Sequence, residues 1–168
     1  MTEWTGLALV QPARSRRWEI RRGEETVASL RLPALRRGGR AEIDGRSLTI
    51  EAHGLFRTEH VISDQTGEVL ARVRPEGRRR VLELAGRELD WKSLGRRAGY
   101  GFVGPDGEPL LRAKVASGVF RTSGELEIDQ SLPRGDGALL ALVAAYLLIR
   151  KTEEDAAVAA SSATGAGV

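Results

Sequence analysis

A glycine-rich run is the first place in this chain where residue types and spacing could support chemistry. Residues 99–104 (GYGFVG) match the G-x-G-x-x-G spacing of dinucleotide-binding loops. Such a loop needs a helix that opens inside it, because the helix N-terminus holds the pyrophosphate. Here residues 105–107 (PDG) follow and predict a turn instead. The run therefore predicts a glycine-rich strand and a turn, and no cofactor.

The two histidines, His53 and His60, are the next candidates, and the chain has no cysteine. A zinc site needs three or four ligands on a firm scaffold. His60 could converge with Asp64, but the sequence indicates no third ligand, so both histidines are predicted to be surface or hairpin residues and no metal site is predicted. The lack of cysteine excludes disulfides, iron–sulfur clusters and thiol catalysis.

Hydrolytic chemistry has no signature in this chain. The nucleophile motif G-x-S-x-G is absent. The conspicuous aspartates, Asp44, Asp64 and Asp106, each lie in a turn signal, where a short polar side chain favours the local backbone. The sequence therefore predicts a protein that is not an enzyme.

Three arginine clusters remain as candidates for binding. They fall between predicted strands, so we expect loop positions for all of them: Arg36, Arg37, Arg40, Arg78, Arg79, Arg80, Arg96 and Arg97. Loops gathered at one end of a barrel would bind an anionic membrane surface, at about 1 kcal/mol per residue. A protein partner is the second expectation. The alternative is solvated loops in an arginine-rich proteome, since all but three of the 26 basic residues are arginine.

Nucleic acid is not the predicted partner of these arginines. No aromatic residues interleave with the clusters, as single-stranded nucleic acid would require for stacking. The formal net charge is only +3, whereas a nucleic-acid binder usually has a more one-sided balance.

Short strands must position these loops. Turn signals recur about every 8 to 12 residues, as in a sandwich or barrel. Residues 43–50 predict a hairpin, because Asp44-Gly45 suits a type I′ turn. A weak repeat of strand, turn and alanine-containing strand appears around residues 23–30, 67–73 and 107–115. The pattern predicts an antiparallel meander of about 10 to 12 strands.

A run without charge, Gly137 to Ile149 (GALLALVAAYLLI), follows the strands. A helix on the surface of a sheet would have a polar face, so this helix must be surrounded by protein or lipid. A membrane span needs about 20 apolar residues, and this shorter run is flanked by charges. We therefore expect a helix over about residues 136–151, buried in a closed antiparallel β-barrel. Residues 152–168, rich in Ala, Ser and Gly, are predicted to be disordered.

This combination resembles the tubby-like superfold of tubby C-terminal domains, plant LURP-one-related proteins and phospholipid scramblases. The resemblance rests on the hairpin units Val61–Val73 and Phe102–Val115, on the strand order and on the terminal apolar helix, and it covers about residues 7–151. The short length is that of bacterial LURP-one-like members. The resemblance implies one domain over residues 1–151 and a non-enzymatic, lipid-associated or scaffolding role. The calcium segment and palmitoylated cysteines of scramblases are absent.

The sequence thus predicts a binding or scaffold protein that recognises anionic phospholipid headgroups through its arginine loops. Residues 7–10 are too short for the core of a signal peptide, so we expect a cytoplasmic protein or one peripheral at the inner membrane face. Two alternatives stay open: a barrel that carries a small ligand, and a tail-anchored membrane protein held by the terminal helix.

Overall fold

A computed structural model describes residues 3–12, 15–34, 36–117 and 122–165. Within these residues twelve antiparallel strands form a closed barrel around the first half of one C-terminal helix. The strands are β1 (Trp4–Val10), β2 (Arg17–Arg22), β3 (Glu25–Arg31), β4 (Gly39–Ile43), β5 (Arg46–His53), β6 (Glu59–Asp64), β7 (Val69–Glu76), β8 (Arg79–Leu84), β9 (Arg87–Gly95), β10 (Gly99–Val103), β11 (Pro109–Ser117) and β12 (Thr122–Asp129), and the helix is α1 (Arg134–Thr164).

The barrel is a simple meander in which each strand pairs with the next one in the chain. It closes where β1 pairs with β12, from Trp4 opposite Asp129 to Leu9 opposite Gly124. Closure leaves no unpaired sheet edge among the described strands. The predicted fold class, a closed antiparallel barrel around a C-terminal helix, is confirmed.

Turn chemistry that is visible in the sequence sets the strand pairing. The β4–β5 turn has positive φ at both central residues, 49° at Asp44 and 77° at Gly45, as a type I′ turn requires. The two repeat units that contain Asp64 and Asp106 form equivalent turns. Asp64 N–H donates to Glu68 O at 3.0 Å, and Gly104 N–H donates to Glu108 O, also at 3.0 Å. The predicted hairpins at these positions are confirmed.

The glycine-rich run at 99–104 forms β10 and the start of the next turn, as the sequence predicted. Gly101 lies where a Cβ atom would come within 2.6 Å of Leu111 O and of the Leu94 side chain. The glycine at this position therefore permits the close approach of neighbouring strands.

The apolar half of α1 fills the barrel. Every residue from Gly137 to Ile149 is buried, and the strands turn small alanines such as Ala71 and Ala113 towards it. Small side chains let the sheet approach the helix axis, and the all-apolar circumference of the helix follows from its being surrounded. The helix thus occupies the lumen that a carrier barrel needs for its ligand.

The helix extends beyond the range expected from the sequence. It begins at Arg134 and continues to Thr164, so residues 152–164, here called the helical extension, are helical where disorder was expected. Alanine is the strongest helix former, and lengthening an existing helix avoids the cost of nucleation. Arg150 also pairs with Glu153 at 2.9 Å, and Lys151 pairs with Asp155 at 2.7 Å. Residues 166–168 lie outside the described residues.

Over the described part of the chain, no helix combines the length and apolar character that crossing a membrane would require.

Candidate functional site

The meander sorts the strand connections between the two ends of the barrel. Because successive strands run in opposite directions, the connections after odd-numbered strands share one end and those after even-numbered strands share the other. The helix enters from β12 at the even-numbered end and leaves at the odd-numbered end.

The described connections at these two ends carry opposite charges. Those at the odd-numbered end contain no Asp or Glu and seven arginines: Arg16, Arg36, Arg37, Arg57, Arg78, Arg96 and Arg97. Those at the even-numbered end contain no Lys or Arg and five acidic residues: Glu24, Asp44, Glu68, Asp106 and Glu108. We call them the arginine end and the acidic end. A one-sided surface of this kind attracts anions to the arginine end.

A cleft of about 440 Å³ opens at the arginine end, between the rim of the barrel and the helix. Four arginines line it, from the β3–β4 connection, the β5–β6 connection, strand β8 and helix α1: Arg37, Arg57, Arg80 and Arg150. His60 and Tyr146 lie among them, and Glu154 is the acidic residue on the lining. We call this site the arginine cleft.

Strand alternation directs two of these side chains to the barrel mouth. His60 shares a face of β6 with the core residue Ile62, and Arg80 shares a face of β8 with the core residue Leu82. Arg80 is exposed and forms no ion pair or hydrogen bond with the described residues, so its guanidinium is available to a ligand.

The other arginines are held by neighbouring backbone. Arg37 donates to Thr58 Oγ1 and to Leu55 O, and Arg57 donates to Gly77 O at 3.3 Å. These bonds use only part of the five N–H donors that a guanidinium has. They fix the two side chains in place and leave donors for an anion.

Arg150 contributes its charge but few free donors. It donates to Arg36 O and Gly38 O, both at 2.8 Å, and pairs with Glu153 at 2.9 Å. Its side chain is 14% exposed. Arg150 therefore mainly fastens the helix to the β3–β4 connection.

A buried polar pair lies beneath the arginines. Gly38 N–H donates to the Tyr146 hydroxyl at 3.2 Å, and that hydroxyl lies 3.0 Å from His60 Nδ1. The hydroxyl hydrogen of Tyr146 has no other acceptor among the described residues, so we assign it to Nδ1, which is then unprotonated. The proton of the neutral imidazole is therefore on Nε2.

The surroundings keep His60 neutral. Burial lowers the pKa of His60 from 6.5 to about 4, together with the positive charges of Arg80, Arg37 and Arg150. His60 is thus a hydrogen-bond donor at neutral pH and a poor proton acceptor. Arg80, Arg37 and Arg150 come from three different elements, and the positive charge of each acts on the His60 ring.

The predicted site residues are all at the arginine end, but they do not form one patch. Arg37 and Arg80 meet in the arginine cleft, and Arg78 lies in the β7–β8 turn beside them. Arg96 lines a separate cleft with Lys114 and Lys151, and Arg97 lies in a third depression with Arg112. Both of these depressions lie beside the β9–β10 connection, which follows the β7–β8 connection around the rim.

Three of the expected loop arginines are in strands. Arg40 is in β4, and Arg79 and Arg80 are in β8, because the tight β7–β8 turn lets pairing begin at once. Arg79 faces away from the core and pairs with Glu76 and Asp90, both at 3.2 Å. It therefore belongs to the outer wall, where the carboxylates neutralise its charge.

Four residues of the arginine cleft were not predicted from the sequence: Arg57, His60, Tyr146 and Arg150. Tyr146 carries the one signal that could have found them, because it is the only hydrogen-bonding side chain in the run Gly137–Ile149. A buried hydroxyl must find a partner. His60, predicted as a surface or hairpin residue, lies in the β5–β6 hairpin and is only 7% exposed. Among the described residues, no group of three His, Asp or Glu is placed to hold a metal ion.

Fold and site together define a closed, helix-filled β-barrel with a basic cleft at its mouth. Comparison of the chain with family models, curated proteins and solved structures found no match. The resemblance to the tubby-like superfamily therefore stays a prediction, and function must be inferred from the geometry.

Proposed function

We propose that this protein is a non-enzymatic binding protein that recognises anionic phospholipid headgroups with its arginine end, peripherally at the inner face of a membrane. The observation that carries the proposal is the charge segregation, with seven arginines and no acidic residue in the described connections of one end. Basic residues near an anionic bilayer contribute about 1 kcal/mol each.

The arginine cleft suits a phosphate group. The Arg80 guanidinium has no ion-pair partner among the described residues, Arg37 and Arg57 keep spare donors, and neutral His60 offers Nε2–H. Guanidinium groups bind phosphate through paired, charge-assisted hydrogen bonds. Glu154 is exposed at the rim and opposes an anion only weakly through water.

The same geometry disfavours catalysis in the cleft. A general base works best with a pKa near the working pH, whereas the pKa of His60 is about 4. Its Nδ1 is already bonded to Tyr146. The donors of the cleft can hold an anion, and the described residues place no activated nucleophile beside it.

The two alternative functions lose their main support. A carrier barrel needs an open lumen, which the buried residues Gly137–Ile149 occupy. A tail anchor needs the same apolar segment outside the protein, whereas here it packs against the strands.

Vesicle flotation tests the proposal. The chain should float with phosphatidylserine-containing vesicles and not with pure phosphatidylcholine, and binding should weaken as salt rises. Replacing Arg78 and Arg80 by Gln should weaken binding roughly 30-fold, the combined effect of two basic residues. The matched control, Arg46→Gln with Arg87→Gln, removes the same charge from the acidic end and should leave binding unchanged.

A soluble probe separates a headgroup from a whole membrane. Glycerol phosphate should shift the His60 imidazole signal in NMR, because an anion in the cleft contacts that ring and raises its pKa. The proposal fails if wild-type protein ignores anionic vesicles at low salt, or if both double variants bind them equally.

A further inference from the structure

Two adjacent apolar side chains project from the arginine end. Leu55 is 84% exposed and Phe56 is 98% exposed, both in the connection between β5 and β6. The other large apolar side chains exposed in the described chain, Val69 and Val158, are single and less exposed, at 46% and 65%. We call Leu55 and Phe56 the apolar tip.

The backbone under the apolar tip is fixed. Arg37 holds the loop from the β3–β4 side by donating to Leu55 O and Thr58 Oγ1, and Arg57 ties it to Gly77 O on the β7–β8 side. Gly54 has φ of 98°, and a Cβ there would lie 2.6 Å from Arg57 O. The loop is therefore tied down at its base, and the exposure of both side chains is built into it.

The setting of the apolar tip identifies its partner. Phe56 lies on the rim of the arginine cleft, between arginines that the described connections leave unbalanced by acid. An apolar pair beside cationic side chains matches the layering of an anionic bilayer, in which phosphates lie above hydrocarbon. Scattered single apolar side chains need no explanation, whereas a held pair at a charged rim does.

We propose that Leu55 and Phe56 insert into the headgroup–hydrocarbon boundary of an anionic bilayer while the arginine cleft binds phosphate beside them. This inference rests on the proposed function and adds the mode of attachment. Charge then governs recruitment and apolar burial adds a contribution that salt does not screen.

The helical extension determines the orientation. It leaves the barrel at the arginine end, where residues 152–156 still lie beside the rim, and residues 157–164 rise about 12 Å beyond it. An upright barrel would push it into the bilayer. The barrel must therefore tilt, so that the sector formed by the β3–β4, β5–β6 and β7–β8 connections faces the lipid.

Site-specific labelling tests the insertion directly, because the chain has no cysteine. Leu55→Cys, labelled with an environment-sensitive fluorophore, should shift to the blue on phosphatidylserine vesicles. Val69→Cys, at the start of β7 on the acidic end, is the matched control and should not shift.

Affinity measurements complete the test. Leu55→Ser with Phe56→Ser should weaken vesicle binding roughly tenfold or more and leave its salt dependence unchanged. Because both residues are exposed, the melting temperature should not change. Unshifted fluorescence together with unweakened vesicle binding would overturn the insertion, assign the tip to another partner such as a protein, and leave the proposed function standing. Failure of the wild type to bind vesicles would overturn both.

Discussion

The acidic and arginine ends of the barrel differ in what their charged residues do for the fold. At the acidic end two aspartates serve the turns. Asp64, the last residue of β6, accepts hydrogen bonds from the N–H groups of Thr66 and Glu68 at 2.8 and 3.1 Å, and Asp106 accepts one from Glu108 N–H at 3.1 Å. At the arginine end, Arg78, Arg80 and Arg96 bond to no described residue. Folding accounts for the first set and does not require the second. Function is best sought where charged groups exceed the needs of the fold.

The helix that joins the two ends offers the largest test. Leu142→Asp should unfold the protein, because Leu142 is fully buried and an unpaired buried charge costs several kcal/mol. Val158→Asp, in the helical extension, should leave the melting temperature nearly unchanged. Circular dichroism melts compare the two, and a folded, stable Leu142→Asp protein would refute the central helix.

The two ends should titrate in different pH windows. His60 has its pKa lowered to about 4 in the fold, below its ordinary 6.5, so the unfolded chain binds its proton more readily. The stability from neutral His60 is complete above pH 6.5 and is lost as pH falls towards 4, by about 3 kcal/mol in total.

At the acidic end, stability should be lost only at lower pH. The Thr66 hydroxyl and the neighbouring N–H groups hold the pKa of Asp64 below its usual 3.8, so its contribution is present above that pH and declines below it. Urea unfolding at a series of pH values measures both steps. His60→Gln should remove the upper step, whereas His53→Gln, on the exposed rim of β5, should leave it. A flat profile between pH 6.5 and 4 in the wild type would contradict this assignment.

Tyr146→Phe should have an intermediate effect. It removes the hydroxyl that satisfies Gly38 N–H and His60 Nδ1, at a cost of about 1–3 kcal/mol for unsatisfied buried groups. The matched control is Tyr100→Phe, since Tyr100 is only partly buried and lies outside the arginine cleft. Equal losses in urea unfolding would show that the Tyr146 hydroxyl has no special part.

Removing the helical extension should have the smallest effect on stability. A chain ending at Lys151 keeps all the buried residues of α1 and loses three ion pairs, Glu153 with Arg16 and with Arg150 and Asp155 with Lys151, each worth about 0.2–1 kcal/mol. It also loses Glu153, Glu154 and Asp155, the acidic residues that the helix carries to the arginine end. Binding to anionic vesicles should therefore strengthen severalfold, and weaker binding would show that the extension takes part in it.

Local patterns explain why so much of the architecture was predictable. The Asp44-Gly45 pair indicates a type I′ turn, because this turn needs positive φ at both central residues and few residue types adopt positive φ. The structure has that turn. The uncharged run Gly137–Ile149 indicated a surrounded helix, and all of it is buried. The composition of residues 152–168 predicts disorder, but the helix continues to Thr164, because alanine readily extends a helix that already exists.

The candidate site was predictable only in part. The arginine clusters indicated an anionic partner, and Arg37 and Arg80 do meet in the cleft. Arg79 was misplaced because neighbours in a strand point to opposite faces, so that one of two adjacent arginines faces the wall and the other faces the mouth. Which of the two arginines faces the mouth depends on the register of β8, and the sequence pattern alone does not determine that register.

By itself the sequence determined a chain of short antiparallel strands and a terminal helix without a polar face, because turns and hydropathy are local properties. Only the tertiary structure decided that Arg37, Arg57, Arg80 and Arg150 meet around His60. These residues lie far apart in the chain and on separate elements. Closure of the barrel brings their connections to one end, and the phase of each strand selects which side chains enter the mouth.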